Sequence, residues 1–183
     1  MKLQYNSPVI LTFTLICTIV LFLSDMTGKT LMSLFTVYPT MDVTNPVDYI
    51  RLFSHAVGHG DWNHLLGNLT YILLLGPILE EKYGSKSMLT MLFITALVTG
   101  ILNVMFFSHG LLGASGIVFM LILLSSVVNF KKGYIPITFI LIVVLFLGRE
   151  ILNMFHNDNI SQSAHIIGGV CGSIFGFTHQ KQG

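Results

Sequence analysis

The sequence predicts an all-α membrane protein, a bundle of six transmembrane helices with a long interfacial first loop, in one domain over residues 1–183. Three observations lead there. Only 9% of the residues are charged and 53% are hydrophobic, whereas soluble domains carry about 25% charged residues. Apolar runs recur near 7–24, 64–80, 87–107, 111–129, 134–149 and 163–178. These runs lack the alternation of barrel strands, and lipid gives the backbone no hydrogen-bond partner, so helices are the remaining way across.

The first run follows Lys2, and no small-residue cleavage site precedes Asp25, so it reads as a retained span. The longest connection, about residues 25–62, holds Pro39, Asn45-Pro46 and the aromatics Phe35, Tyr38, Tyr49, Phe53 and Trp62. Aromatics of this kind suit a loop lying between lipid and water. Arg51 and Asp61 read as its anchors, with Asp61 the candidate N-cap of the second span. Several runs are shorter than the ~20 residues that cross a bilayer, so their helices extend into polar flanks or sit in thinned lipid. Cys17 and Cys171 lie inside apolar runs and read as small buried hydrophobes, not as a disulfide or metal ligands.

Basic residues set the orientation. With the N-terminus inside, Lys2, Lys82, Lys86, Lys131, Lys132 and Lys181 fall on the inner side, against Lys29, Arg51 and Arg149 outside. The positive-inside rule then puts both termini in the cytoplasm of a multi-pass cell-membrane protein. A net charge of +1 gives no reason to expect nucleic acid.

In this topology spans two, four and six start at the outer face. Each carries polar residues at its start: His64 and Asn68, then Ser115, then His165. All four therefore sit at similar depth. His64 and Asn68 are four apart and share a helix face. Gly168, Gly172 and Gly176 form a small-residue face in the sixth span, and Gly113 and Gly116 flank Ser115. Close approach on such faces predicts that spans four and six touch and bring Ser115 within reach of His165.

A serine hydroxyl becomes a nucleophile when a base takes its proton, and histidine is the usual base. No Asp or Glu lies inside a span; Glu80 and Glu81 end the second on the inner side, and Glu150 stands at the outer end of the fifth. A Ser–His dyad is therefore expected, with no buried third carboxylate. The Asn68 amide, the His64 ring and the backbone N–H of Ser115 are the available oxyanion donors. Ser125 and Ser126, deeper in the same span, read as serines bonded back to their own helix. His55 and His59 have a metal-like spacing, but Ala56 stands where a zinc protease needs glutamate, so they read as structural or interfacial, with metal binding the lesser alternative, and no metal or cofactor is expected.

The motifs together resemble the rhomboid family of intramembrane serine proteases, in the minimal six-span bacterial form. The resemblance runs from Arg51 to Gly176 through His55-x3-His59-x4-His64-x3-Asn68, Gly113-Ala114-Ser115-Gly116 and Ala164-His165-x2-Gly168-x3-Gly172. Glu80 with Gly84-Ser85 is similar as well. Ile50 departs from it, where the family often shows tryptophan before Arg51. The resemblance implies that Ser115 is the nucleophile, His165 the general base, and His64 with Asn68 part of the oxyanion hole. It implies that Phe119 packs against the base and that the loop Leu152–Gln162 caps the site. It also implies transmembrane protein substrates entering from the lipid bilayer near the fifth span. The alternative is a catalytically inactive rhomboid-like protein that binds membrane partners. A transporter would need a polar route through the inner half, where only Asn103, Ser125 and Ser126 offer one.

Overall fold

The computed structural model describes residues 4–128, 134–153 and 162–179. These are helical throughout their main elements, with one isolated antiparallel bridge between Val37 and Leu111. The helices are α1 (Pro8–Met26), α2 (Pro46–Ser54), α3 (Trp62–Tyr83), α4 (Ser85–Phe106), α5 (Ser115–Ser126), α6 (Ile137–Ile142), α7 (Gly148–Asn153) and α8 (Gln162–Thr178). A π-helical turn, Val143–Leu147, joins α6 to α7.

All six apolar runs coincide with helices, but length and hydropathy mark only α1 and α4 as sufficient by themselves to cross a membrane. α5 has 12 residues, about 18 Å of helix against a hydrocarbon layer of about 30 Å. Its surroundings explain how it stays short. Gly116, Ile117, Val118 and Met120 through Leu124 are all buried, so α5 is enclosed by other helices. The outward faces of the surrounding helices are apolar instead: Phe22 on α1, Ile78 on α3, Leu89 on α4 and Ile174 on α8 are exposed.

The segment expected as a plain interfacial loop contains structure. Thr30–Phe35 and His55–Val57 are 3-10 turns, and α2 lies between them. Asn45 caps α2 by accepting from the Val47 N–H at 3.1 Å, and Pro46 supplies a first helical residue that needs no donor. Arg51 anchors the segment as expected: its Nε donates to the Ser33 carbonyl at 2.9 Å, it pairs with Asp48, and its guanidinium covers the Tyr38 ring. Asp61 caps α3, accepting from the His64 N–H at 2.8 Å. The Val37–Leu111 bridge then ties this segment to the loop before α5, with both N–H···O bonds at 2.9 Å.

At the other end, the buried Glu80 carboxylate closes the bundle. Its Oε1 accepts from the Val9 N–H and the Ser85 hydroxyl, and its Oε2 from the Ile10 N–H at 3.0 Å. A carboxylate there satisfies N–H groups that the first turn of α1 leaves without acceptors and complements the helix dipole. Cys17 and Cys171 are both buried free thiols. Lys2, Lys131, Lys132 and Lys181, on which the orientation leaned, lie outside the described residues, as does most of the expected cap, residues 154–161.

Candidate active site

The site is built where α5 and α8 meet backbone to backbone. A Cβ added to Gly168 would stand 1.9 Å from the Gly116 carbonyl oxygen, and one on Gly172 would stand 2.2 Å from that of Met120. Gly116 in turn faces the Ala164 carbonyl. The glycine face read from the sequence is therefore the α5–α8 contact. The immediate neighbours of Ser115 and His165 touch.

Phe119 completes the alignment. It follows Ser115 by four residues, hence on the same face of α5. Its ring stacks on the His165 imidazole, with centroids 4.4 Å apart and planes 6° from parallel. Phe146, in the π turn, meets Phe119 edge-on at 6.2 Å. Ser115 opens α5, so the first N–H groups of that helix have no intrahelical acceptor and its positive dipole end faces the site. The Ser115 hydroxyl makes no hydrogen bond to another described residue. Catalytic hydrogen bonds commonly tighten only when substrate is bound.

The loop into α5 is shaped by Gly113, whose φ of +117° suits glycine alone. Its missing side chain also admits the His64 ring, since a Cβ would lie 2.6 Å from His64 Nε2. The Gly113 N–H donates to the His55 carbonyl at 2.9 Å. Asn68, buried on α3, has its amide nitrogen 3.8 Å from the same Cβ position. His64 and Asn68 thus stand over the turn that presents Ser115.

Two residues reach the site that the sequence reading left outside it. His59 is fully buried and forms a bridge: its Nδ1 lies 3.2 Å from the Val57 carbonyl, and Nε2 lies 3.0 Å from the Asn68 amide nitrogen. A ring donating from Nδ1 accepts at Nε2, so His59 holds the Asn68 amide with its nitrogen toward the ring. Burial, then the neighbouring His64, pushes the His59 imidazole down to about 4. His55 is also buried, with Nε2 3.1 Å from the Ala96 carbonyl. His55 is thus tied to α4, and His59 acts on an expected site residue. Among the described residues no group of three or more His, Cys, Asp or Glu side chains is placed to hold a metal ion.

The second is Glu150. The expectation of no buried third carboxylate is overturned: Glu150 is 8% exposed, and its Oε2 lies 2.7 Å from His165 Nδ1. The available signal was depth, because the topology expected from the sequence puts the end of the fifth run and the start of the sixth on one side of the membrane. Only packing shows that the carboxylate turns inward. Leu147, three residues earlier, fills the space above Gly169 of α8.

The residues named for a polar route bond locally, within their own helix or to the loop beside it. Ser125 and Ser126 donate to the Ile122 and Leu123 carbonyls of their own helix, and the Asn103 amide donates to the His109 carbonyl. An apolar cleft of about 400 Å³ opens between α1, α2 and α4, lined by Phe13, Phe53, Leu89 and Phe93 among others. Its lining includes none of Ser115, His165, His64 or Asn68.

A helical bundle with apolar outer faces and a polar cluster at the junction of two closely packed helices fits the class of integral membrane proteins. The Rhomboid domain model matches residues 46–182, about three quarters of the chain. The chain belongs to the rhomboid family, whose members are typically intramembrane serine proteases acting on membrane-protein substrates.

Proposed function

We propose that this protein is an intramembrane serine endopeptidase that cleaves transmembrane segments of membrane-protein substrates near the extracytoplasmic face. In this reading the chain is one domain of six spans in the cell membrane with both termini cytoplasmic. Ser115 is the nucleophile, His165 the base, and His64, Asn68 and the Ser115 N–H the oxyanion donors. The observation that carries the reading is the Phe119–His165 stack one helical turn from Ser115, on helices held together at Gly116 and Gly168.

The chemistry follows from the hydrogen-bonding groups. His165 Nε2 takes the Ser115 proton as Oγ bonds to the scissile carbonyl carbon. The carbonyl π electrons move to oxygen, giving an oxyanion beside the His64 ring and the second amide hydrogen of Asn68. The imidazolium then gives its proton to the amide nitrogen as the C–N bond breaks. Water, deprotonated by the same imidazole, hydrolyses the Ser115 ester and regenerates the hydroxyl. None of these steps calls for a cofactor.

A fluorophosphonate probe on the purified protein tests the reading. It is expected to label Ser115 in the wild type and not in Ser115→Ala, with labelling greatly slowed in His165→Ala. A wild type that neither labels nor cleaves a transmembrane substrate would establish the inactive, partner-binding alternative.

A further inference from the structure

We propose that Glu150 is a positioning residue for His165, completing a Glu150–His165–Ser115 arrangement; this rests on the peptidase reading above. An ionised carboxylate only accepts hydrogen bonds. With Glu150 Oε2 2.7 Å from Nδ1, the ring hydrogen sits on Nδ1 and the lone pair on Nε2. Nε2 is the atom that must receive the Ser115 proton. Phe119 fixes the tilt of the ring from one face, and Glu150 fixes its rotation in the ring plane. The two constraints are independent, and together they leave the imidazole one orientation.

The surroundings make Glu150 available for this task. Arg149, its neighbour, is exposed, and among the described residues Glu150 pairs with His165. Among the described residues, His64 from α3 is the other titratable group coupled to the His165 ring, and α5 brings Ser115 and Phe119 and no charge. When His165 accepts the serine proton it becomes a cation. A buried anion within hydrogen-bond distance stabilises that cation without itself being protonated. The π turn sets the register: it seats Phe146 on Phe119 and Leu147 over Gly169, and Glu150 follows three residues later. π turns of this kind recur at functional sites.

A docking role for Glu150, merely clamping α7 to α8, would change stability and substrate affinity. A positioning role changes kcat and the state of the Nδ1 proton. The experiment uses the full chain in detergent with a transmembrane substrate. Glu150→Gln is expected to lower kcat about 100-fold or more with KM within about threefold, in line with the roughly 10⁴-fold loss when an amide replaces the carboxylate of a protease triad. Glu150→Asp, which keeps the charge, is expected to recover a substantial part of that loss. In Ser115→Ala protein, proton NMR is expected to show a far-downfield Nδ1–H resonance that Glu150→Gln removes. A kcat for Glu150→Gln within threefold of wild type, or a loss confined to KM, would overturn the proposal. So would absence of the downfield resonance, or its persistence in Glu150→Gln. The NMR arm needs no catalysis. Failure of serine labelling in the wild type therefore sinks the peptidase reading, and failure of the resonance sinks this one.

Discussion

The Phe119 ring lies face to face with the His165 imidazole, 4.4 Å between centroids. This contact spans α5 and α8 and sets where the imidazole edge points. Phe119→Leu keeps an apolar side chain of similar bulk but removes the flat surface. A fall in kcat of about 10-fold is expected, with stability lowered by about 1–2 kcal/mol for a half-buried aromatic. Cleavage kinetics and thermal unfolding of the purified variant check both parts. Phe119→Tyr, which keeps the ring, is expected to stay near wild-type rate.

Gly168 allows no side chain. The methyl of Gly168→Ala would meet backbone at 1.9 Å, which cannot move aside as a flexible side chain would. The helices must separate, at a cost of about 1–3 kcal/mol or more for overpacking. Separation also draws Ser115 away from His165. Gly168→Ala is therefore expected to lower both Tm and serine labelling. Gly67→Ala is the control, because a Cβ there meets nothing within 4 Å; it is expected to leave both unchanged.

Acid is expected to destabilise the protein before its carboxylates titrate. Burial holds both His55 and His59 down to about 4, against an ordinary value of 6.5. Above pH 6.5 both are neutral in folded and unfolded chains alike, and stability is at its full value. Between about 6.5 and 4 the unfolded chain takes up protons that the folded one refuses, so stability falls with pH, by at most about 3 kcal/mol for each histidine. Thermal unfolding at intervals from pH 8 to pH 4.5 checks this. A flat profile from 8 to 7 and a falling Tm below 6.5 are expected, with a shallower fall in His59→Gln.

Glu80 bears on stability and not on chemistry. Glu80→Ala would strand the Val9 and Ile10 N–H groups, which now donate to its carboxylate. The expected loss is about 2–4 kcal/mol, since each buried donor left unpaired costs about 1–3 kcal/mol. At temperatures where the variant remains folded, kcat and KM are expected to stay within twofold of wild type. Denaturation curves beside cleavage rates separate the two effects.

Much of this arrangement was legible in the chain. The four-residue spacing of Gly168, Gly172 and Gly176 named the face of α8 that meets α5, because a missing side chain has a local geometric meaning wherever the helix goes. Asp61 was readable as a cap because capping is a matter of position relative to a helix start. That His64, Asn68, Ser115 and His165 each stand near the start of a helix was readable from where each apolar run begins. The short α2 was missed, since Asn45-Pro46 reads equally as a turn and as a helix start.

By itself, the sequence determined the helical class, the apolar runs, the residue types at the site and the face on which α5 and α8 meet. These depend on composition and on periodicities within one segment. The tertiary structure alone decided which partner each polar atom takes. His59 holds Asn68 across nine residues, and Glu150 turns onto His165 across fifteen. Those pairings depend on how helices rotate about their axes when packed. A side chain's direction around a helix is fixed by its neighbours in space, and a one-dimensional pattern of depth carries no record of it.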